Sequence, residues 1–389
     1  MSDKKFKLGL IPRIVIAIIL GIIIGKYLPH SFTRIFITFS SIFGNFLGFI
    51  IPLLIIGFVA AGIADLGNDA GKLLGITVGI AYVFTLISGF FAYFVGKALL
   101  GKIISSKATD VITGSGISLK PFFTIEIPPI MEVTTALFLA FLLGLGISAT
   151  KSDALKKISF EFQKIISRTI ESVVIPLLPV HILGIFADMS ASGEAFTILS
   201  VFWKVFILVI VCHFLILLFQ FAVGATLSRK NLIHCIKSQV PGYLTALGTQ
   251  SSAATIPINL ECSERMGISK GIRDFVIPLC ATTHMSGSTI TLTLCAMSVM
   301  MLHGTAIEFT AFSGFIAMLG ISIVAAPGVP GGAVMAALGV LKLFLGFDES
   351  MISLMIALYI AQDSFGTAAN VSGDQAVAMI VDTFQTKTS

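Results

Sequence analysis

Near the C-terminal end of the chain, Asp363, Thr367, Asn370 and Asp374 fall at i, i+4, i+7 and i+11. That spacing puts all four on one face of a helix. The segment around them is apolar enough to span a bilayer, where an ionised carboxylate costs at least about 2.5 to 3.5 kcal/mol. Two carboxylates on one buried face therefore require cationic partners. No Lys or Arg lies between Arg273 and Lys342, so the partners are expected from solution, as a substrate ammonium group and a bound cation. The competing reading makes this segment an amphipathic tail at the cytoplasmic surface.

A second group of polar residues sits in QSSAATIP (250–257), where Ser251 and Ser252 offer hydroxyls and nearby backbone N–H groups. Such groups at a broken helix end can hold a carboxylate without a fixed positive charge. The glycines of APGVPGG (326–332) allow the backbone conformations that a closing lid needs. Taken singly, each of these is also a plain turn between helices.

The elements that position these groups belong to a membrane protein. Of 389 residues, 56% are hydrophobic and 12% charged, with a mean hydropathy of +1.01; a soluble domain carries about 25% charged residues. The 33 Phe and 36 Gly suit helices that face lipid and pack closely on one another. The net charge of +5 comes from Lys and Arg lying mostly between apolar runs. With no aromatic-interleaved basic patch, nucleic acid is excluded as a partner. The five cysteines, Cys212, Cys235, Cys262, Cys280 and Cys295, lack CxxC spacing and read as small apolar residues. The N-terminal apolar run follows a basic start and has no small-residue cleavage site, so it is expected to be a first span rather than a signal peptide.

Apolar runs fall near residues 8–28, 38–65, 72–101, 128–149, 160–187 and 195–228. A cytoplasmic N-terminus places Lys151, Lys156 and Lys157 inside with Arg229 and Lys230, and leaves the ADMSASGE loop outside without Lys or Arg, as the positive-inside rule requires. Beyond residue 235 the runs are interrupted. QSSAATIP pairs with THMSGST (283–289), and APGVPGG pairs with AQDSFGTAANVSGD (361–374). Backbone that leaves helical geometry within lipid must be buried or line a cavity. Two broken segments in matching halves point to an inverted-repeat transport site at the midplane.

From about 248 to 380 the sequence resembles the dicarboxylate/amino acid:cation symporters, the family of the glutamate transporters. SSAATIPINLECSERMGISKGI looks like that family's first hairpin, THMSGST its NMDGT interruption, GVPGG its second hairpin tip and NVSGD its closing NxxGD motif, while Tyr82 and Thr85 match the polar pair of its third span. The resemblance implies an all-α protein of eight transmembrane helices plus two re-entrant helical hairpins, near 235–263 and 308–342. It further implies inverted repeats and a homotrimer in the cell's inner (plasma) membrane with both termini cytoplasmic. Scaffold helices would cover about 1–70 and 128–190. A transport domain of about 72–101 and 195–384 would move like an elevator.

By the same resemblance, Asp363 would bind a substrate α-amino group and Asn370 its carboxylate, helped by Ser251, Ser252, Ser288, Val329 and Thr367. Asp374 would ligate sodium together with carbonyls near Cys280, His284 and Asn370. A second sodium would lie among carbonyls near the second hairpin, and a further site at Tyr82, Thr85 and Ser286.

Where the sequence departs from the family, the expected cargo narrows. Members carrying acidic substrates place an Arg at the position of Gly366 or Gln250. Without either, an acidic side chain would be buried unpaired, at a cost of several kcal/mol. A small neutral amino acid such as serine, threonine or alanine is therefore expected, and the SSAA and QDS segments look like the bacterial serine/threonine branch. In His284-Met285-Ser286-Gly287-Ser288 the Asn and Asp of NMDGT have become His and Ser, which removes charge from the further sodium site. His284 either carries a coupling proton instead, or is a neutral, hydrogen-bonded residue holding the broken helix.

The remaining alternatives are an acidic-substrate or proton-coupled member of the family, an intramembrane hydrolase using Ser251 or Ser252 with His284, and a passive channel. No orienting acid stands at a fixed offset from the serines, and the two Asp lie on one span rather than in a ring. A non-enzymatic carrier is the expectation. GIIIG (21–25) is either a helix-packing seam or chance spacing.

Overall fold

The computed structural model describes residues 10–66, 72–104, 119–323 and 331–386, and these contain helices and irregular connections with no strand. A bilayer favours this outcome because a helix satisfies its own backbone hydrogen bonds without water. Six helical stretches among the described residues are long and apolar enough to cross a membrane: His30–Ala60, Leu73–Ile103, Asp153–Ala191, Ala195–Ser228, Lys270–Leu302 and Glu349–Phe384. Length and composition thus give six spans where the sequence led us to expect eight. Leu10–Tyr27 and Val133–Thr150 occupy the other two expected places. They have 18 residues each, about 27 Å of helix, at the lower limit for spanning.

In chain order, α1 is Leu10–Tyr27, and α2 (His30–Ile55) runs through one π turn (Ile56–Ala60) into α3 (Ala61–Leu66). Next come α4 (Lys72–Ile103), α5 (Val133–Thr150), and α6 (Asp153–Thr169), which continues through a second π turn (Ile170–Val174) into α7 (Ile175–Ala191). The long α8 (Ala195–Ser228) precedes the short pair α9 (Leu232–Thr249) and α10 (Ser252–Arg265). The final segments are α11 (Lys270–Thr283), α12 (Ser286–Leu302), α13 (Phe309–Ser322), α14 (Gly332–Leu345) and α15 (Glu349–Thr386).

Helices α1 and α2 pack on α7. The GIIIG segment is the seam between α1 and α7. A Cβ on Gly21 would stand 2.6 Å from the Leu183 carbonyl oxygen, and one on Gly25 would run into the carbonyl oxygen of Ala187. The second group of helices surrounds α15, with α4, α8, α9, α10, α11 and α12 all against it. The most buried candidate spans are Lys270–Leu302 and Glu349–Phe384, at 94% and 89%. They therefore form the interior on which the other helices lie.

Helices α9 and α10 fold back on each other around Gln250, whose φ of +55° is the left-handed conformation that ends α9. Ser251 starts α10, its Oγ accepting from the Ala254 N–H at 3.2 Å. With 14 residues α10 falls well short of the roughly 30 Å of a hydrocarbon core, and α9, of 18 residues, carries Pro241 inside it. Helices α13 and α14 also pack together; the tip between them, with Val329 and most of APGVPGG, lies outside the described residues.

The break at THMSGST is present: α11 ends at Thr283, and His284 (φ −101°, ψ 104°) and Met285 (φ −123°, ψ 37°) are not helical. The polar stretch AQDSFGTAANVSGD is helical throughout, as a shared face from Asp363 to Asp374 requires, and α15 runs unbroken through it for 38 residues. The stretch contains no proline, and its Gly373 serves a close approach between helices. A Cβ on Gly373 would collide with the His284 ring, and one on Gly287 with the carbonyl of Gly366.

Candidate functional site

The site forms where the polar face of α15 meets the gap between α11 and α12. The first turn of a helix has N–H groups with no partner in the helix itself, and at α12 these point toward Asn370. Asn370 Oδ1 accepts from Gly287 N at 2.8 Å and Ser288 N at 3.2 Å. Its Nδ2 donates to Ser288 Oγ at 2.9 Å. Tyr359, about three helical turns earlier on α15, donates its hydroxyl to the same Ser288 Oγ at 3.0 Å. Gly366 lies between, and a Cβ built there would meet Thr291 Oγ1 at 3.5 Å and Ser288 N at 3.6 Å, both ordinary contacts.

Asp363 and Asp374 are both buried, 4% and 1% exposed. Among the described residues, neither forms an ion pair with Lys or Arg. Both nevertheless accept hydrogen bonds within the chain, from groups that carry no fixed charge. Asp363 Oδ2 accepts from the Gly331 N–H at 2.6 Å. Gly331, at φ +80°, starts α14 at the far edge of the second short pair. Asp374 Oδ1 lies 3.1 Å from His284 Nδ1. Lys and Arg are missing from this stretch of sequence, but a histidine 90 positions away and backbone N–H groups are not visible as partners in a count of cations.

His284 is fully buried. Its Nδ1 also lies 3.1 Å from the Asn370 carbonyl oxygen, and its Nε2 lies 2.8 Å from Ser286 Oγ and 3.3 Å from Gln220 Nε2. Gln220 Nε2 donates to Ser286 Oγ at 2.8 Å. The Cys280 carbonyl accepts the His284 N–H at 3.0 Å, and its thiol is free and buried. Thr85 reaches the break from α4, its Oγ1 accepting from Met285 N at 3.4 Å, whereas Tyr82 turns toward α13 and donates to the Ala317 carbonyl at 3.0 Å. Among the described residues, no group of three or more His, Cys, Asp and Glu gathers as a metal cluster.

Of the anticipated residues, Ser288, Gly366 and Asn370 come together at the start of α12. Cys280, His284, Ser286, Asp374 and Thr85 surround the break itself. Thr367 is buried on the same helix, 6% exposed. At the first tip, Ser252 is buried and the Ser251 carbonyl accepts from Thr255 Oγ1 at 2.8 Å. Val329 lies outside the described residues.

The residues that reading the sequence missed are Gln220 and His213. His213 Nε2 bonds the Gly287 carbonyl at 3.0 Å and Thr291 Oγ1 at 3.1 Å. The two stand seven positions apart on α8, one face of an otherwise apolar helix. Polar residues inside a span mark a functional site by default, and that signal was available. A second buried network ties the first short pair to α15. Gln239 Nε2 donates to Asn259 Oδ1 at 2.8 Å, Asn259 Nδ2 to the Val371 carbonyl at 3.0 Å, and Ser263 Oγ to Gln375 Oε1 at 2.7 Å.

Residues 10–384 match the family model described as the sodium:dicarboxylate symporter family. The serine/threonine transporter of Acinetobacter baylyi is 25% identical over 399 aligned residues, covering 98% of this chain and 99% of the relative. The serine/threonine transporter of Streptococcus agalactiae is 26% identical, with 95% and 94% covered. That of Bifidobacterium adolescentis is 27% identical, with 94% and 87% covered.

Proposed function

Because the chain belongs to the sodium:dicarboxylate symporter family, we propose that it is a secondary active symporter coupling uptake of a small neutral amino acid to sodium. The observation that carries this reading is the surrounding of Gly366. The position faces Ser288 N and Thr291 Oγ1, small neutral groups that suit a hydroxyl or methyl side chain and offer an acidic one no counter-charge. Asp363 supplies the negative group for a substrate ammonium. Ser288, Thr367 and the N–H-rich start of α12 supply donors for the other end, with Ser251, Ser252 and Val329 contributed by the two short-helix tips.

The printed names of the relatives, all serine/threonine transporters, favour serine or threonine within that class. Sodium is a hard cation that takes oxygen ligands, and backbone carbonyls near the second short pair would hold it. Its binding would order that pair over the substrate. Coupling then amounts to a difference in ion affinity between substrate-loaded and empty states, and so must be reciprocal. The α15-centred group of helices would move as the carrier against the group around α1, α2 and α7, in a homotrimer in the inner membrane. A carrier rather than an enzyme is supported by His284, whose ring contacts lie at the break and not at the Ser251–Ser252 pair.

The test is uptake into proteoliposomes under an imposed sodium gradient. Serine, threonine or alanine should accumulate above the external concentration, and aspartate and succinate should not. Equal accumulation in sodium-free buffer under a proton gradient would replace sodium with protons. Equilibration without accumulation would mean a channel.

A further inference from the structure

Three of the groups that the family resemblance assigns to sodium at Asp374 already have partners within the chain. Asp374 Oδ1 and the Asn370 carbonyl both lie 3.1 Å from His284 Nδ1, and the Cys280 carbonyl accepts the His284 backbone N–H at 3.0 Å. An ionised carboxylate and a carbonyl can only accept, so Nδ1 must carry the hydrogen. On the other side of the ring, Gln220 Nε2 donates to Ser286 Oγ at 2.8 Å, and the Ser286 hydroxyl, 2.8 Å from Nε2, is placed to donate to it. With its hydrogen on Nδ1 and Nε2 accepting, a neutral imidazole has bonds on both of its nitrogens.

The space is shaped for the ring. Gly373 has no side chain where a Cβ would meet ring atom Cε1, and Phe84 packs against the imidazole edge to face, centroids 6.2 Å apart. For sodium to reach these oxygens, the ring would have to leave this pocket and give up the bonds on both of its nitrogens.

We propose that His284 is a tethered occupant of the cation position at Asp374, its Nδ1–H doing for those oxygens what a sodium ion would do. The chain therefore couples transport to one sodium fewer than it would with a side chain too short to reach Asp374. The inference rests on the symporter reading, whose remaining sodium would bind elsewhere.

Sodium dependence of substrate uptake, and the charge moved per substrate, are to be compared in proteoliposomes for the unaltered protein, His284→Asn and His284→Ala. Thermal protection by substrate serves to confirm that each variant is folded. One additional sodium per substrate in either variant, with a steeper sodium dependence, is the expected result. Unchanged stoichiometry in both folded variants overturns it. A crystal of the unaltered protein grown with thallium(I), a monovalent ion seen by anomalous scattering, decides the question even if neither variant folds. No peak should lie within coordinating distance of Asp374, and a peak shared by Asp374 and the Asn370 carbonyl overturns the inference. Sodium-independent uptake by the unaltered protein would instead overturn the sodium reading of the previous subsection, so the two failures are distinct.

Discussion

Asn370 Oδ1 accepts hydrogen bonds from the backbone N–H groups of Gly287 and Ser288, at 2.8 and 3.2 Å, so a side chain of α15 caps the start of α12. A cap supplied from another helix ties the break between α11 and α12 to the polar face that runs past it. The same residue serves two ends: its backbone carbonyl faces His284 and its side chain faces the start of α12.

Asn370→Ala should be destabilising. It leaves two buried N–H groups without an acceptor, and each costs about 1 to 3 kcal/mol. A thermal unfolding curve of the detergent-purified protein without substrate should move down by several degrees, while Asn370→Asp, which retains the acceptors, should move it less. A curve that does not move for the Ala variant would show that the cap is dispensable.

Asp363→Asn should retain an acceptor for the Gly331 N–H, now 2.6 Å from Oδ2, and so keep the fold. Without the charge it cannot pair with an ammonium group, and affinity should fall by about 100-fold, the size of a strong charge-assisted bond. Calorimetric titration of serine measures this. Unchanged affinity would place the ammonium elsewhere.

Gly366→Arg should turn preference toward aspartate or succinate, since the position faces Ser288 and Thr291 and the new guanidinium would supply the missing bidentate partner. Competition of unlabelled acids against labelled serine in uptake reads the shift. If acids compete no better than before, the cargo side chain does not lie at this position.

Gly25→Val should loosen α1 from α7, because a Cβ there meets the Ala187 backbone, which cannot move aside as a flexible side chain does. Overpacking of this kind costs about 1 to 3 kcal/mol. Gly79→Ala is the control, having nothing within 4 Å of its added Cβ. Comparable melting temperatures for the two variants would show that the seam carries no stability.

Asp348 precedes α15 and accepts from the Met351 N–H and the Ser350 hydroxyl, both at 2.8 Å. Burial pushes its carboxyl up, but these bonds outweigh burial and hold it below the usual value of 3.8. A carboxyl lowered in the folded state contributes stability that is full above 3.8 and lost as pH falls through the lower folded value. Asp348→Ala should therefore cost about 1 kcal/mol at neutral pH, as helix caps do, and the difference should shrink below pH 3.8. A difference independent of pH would mean the carboxylate charge is not what caps the helix.

Much of this was legible in the sequence. Hydrophobic runs dictate helices in a bilayer whatever their neighbours do. The i, i+4, i+7, i+11 spacing from Asp363 to Asp374 sets a shared face from helical geometry alone, and the break at His284 falls in the small polar run THMSGST. The resemblance to a symporter family, carried by ordered motifs, extends over residues 10–384 in the family match.

What the sequence by itself determined is local: which segments are helical, which residues share a face, and which side chains are missing at Gly366 and Gln250. Partnership between distant positions was decided only by tertiary structure. His284 meets Asp374 across 90 positions, Gly331 meets Asp363, and Gln220 on α8 completes the chain through Ser286. The glycines of α15 show why. A glycine within a polar run reads the same whether it breaks a helix or admits a neighbour, and Gly373 is resolved only by the His284 ring beside it. Hydrogen bonds and close approaches depend on distance in space, and spacing along one helix does not report what the next helix brings.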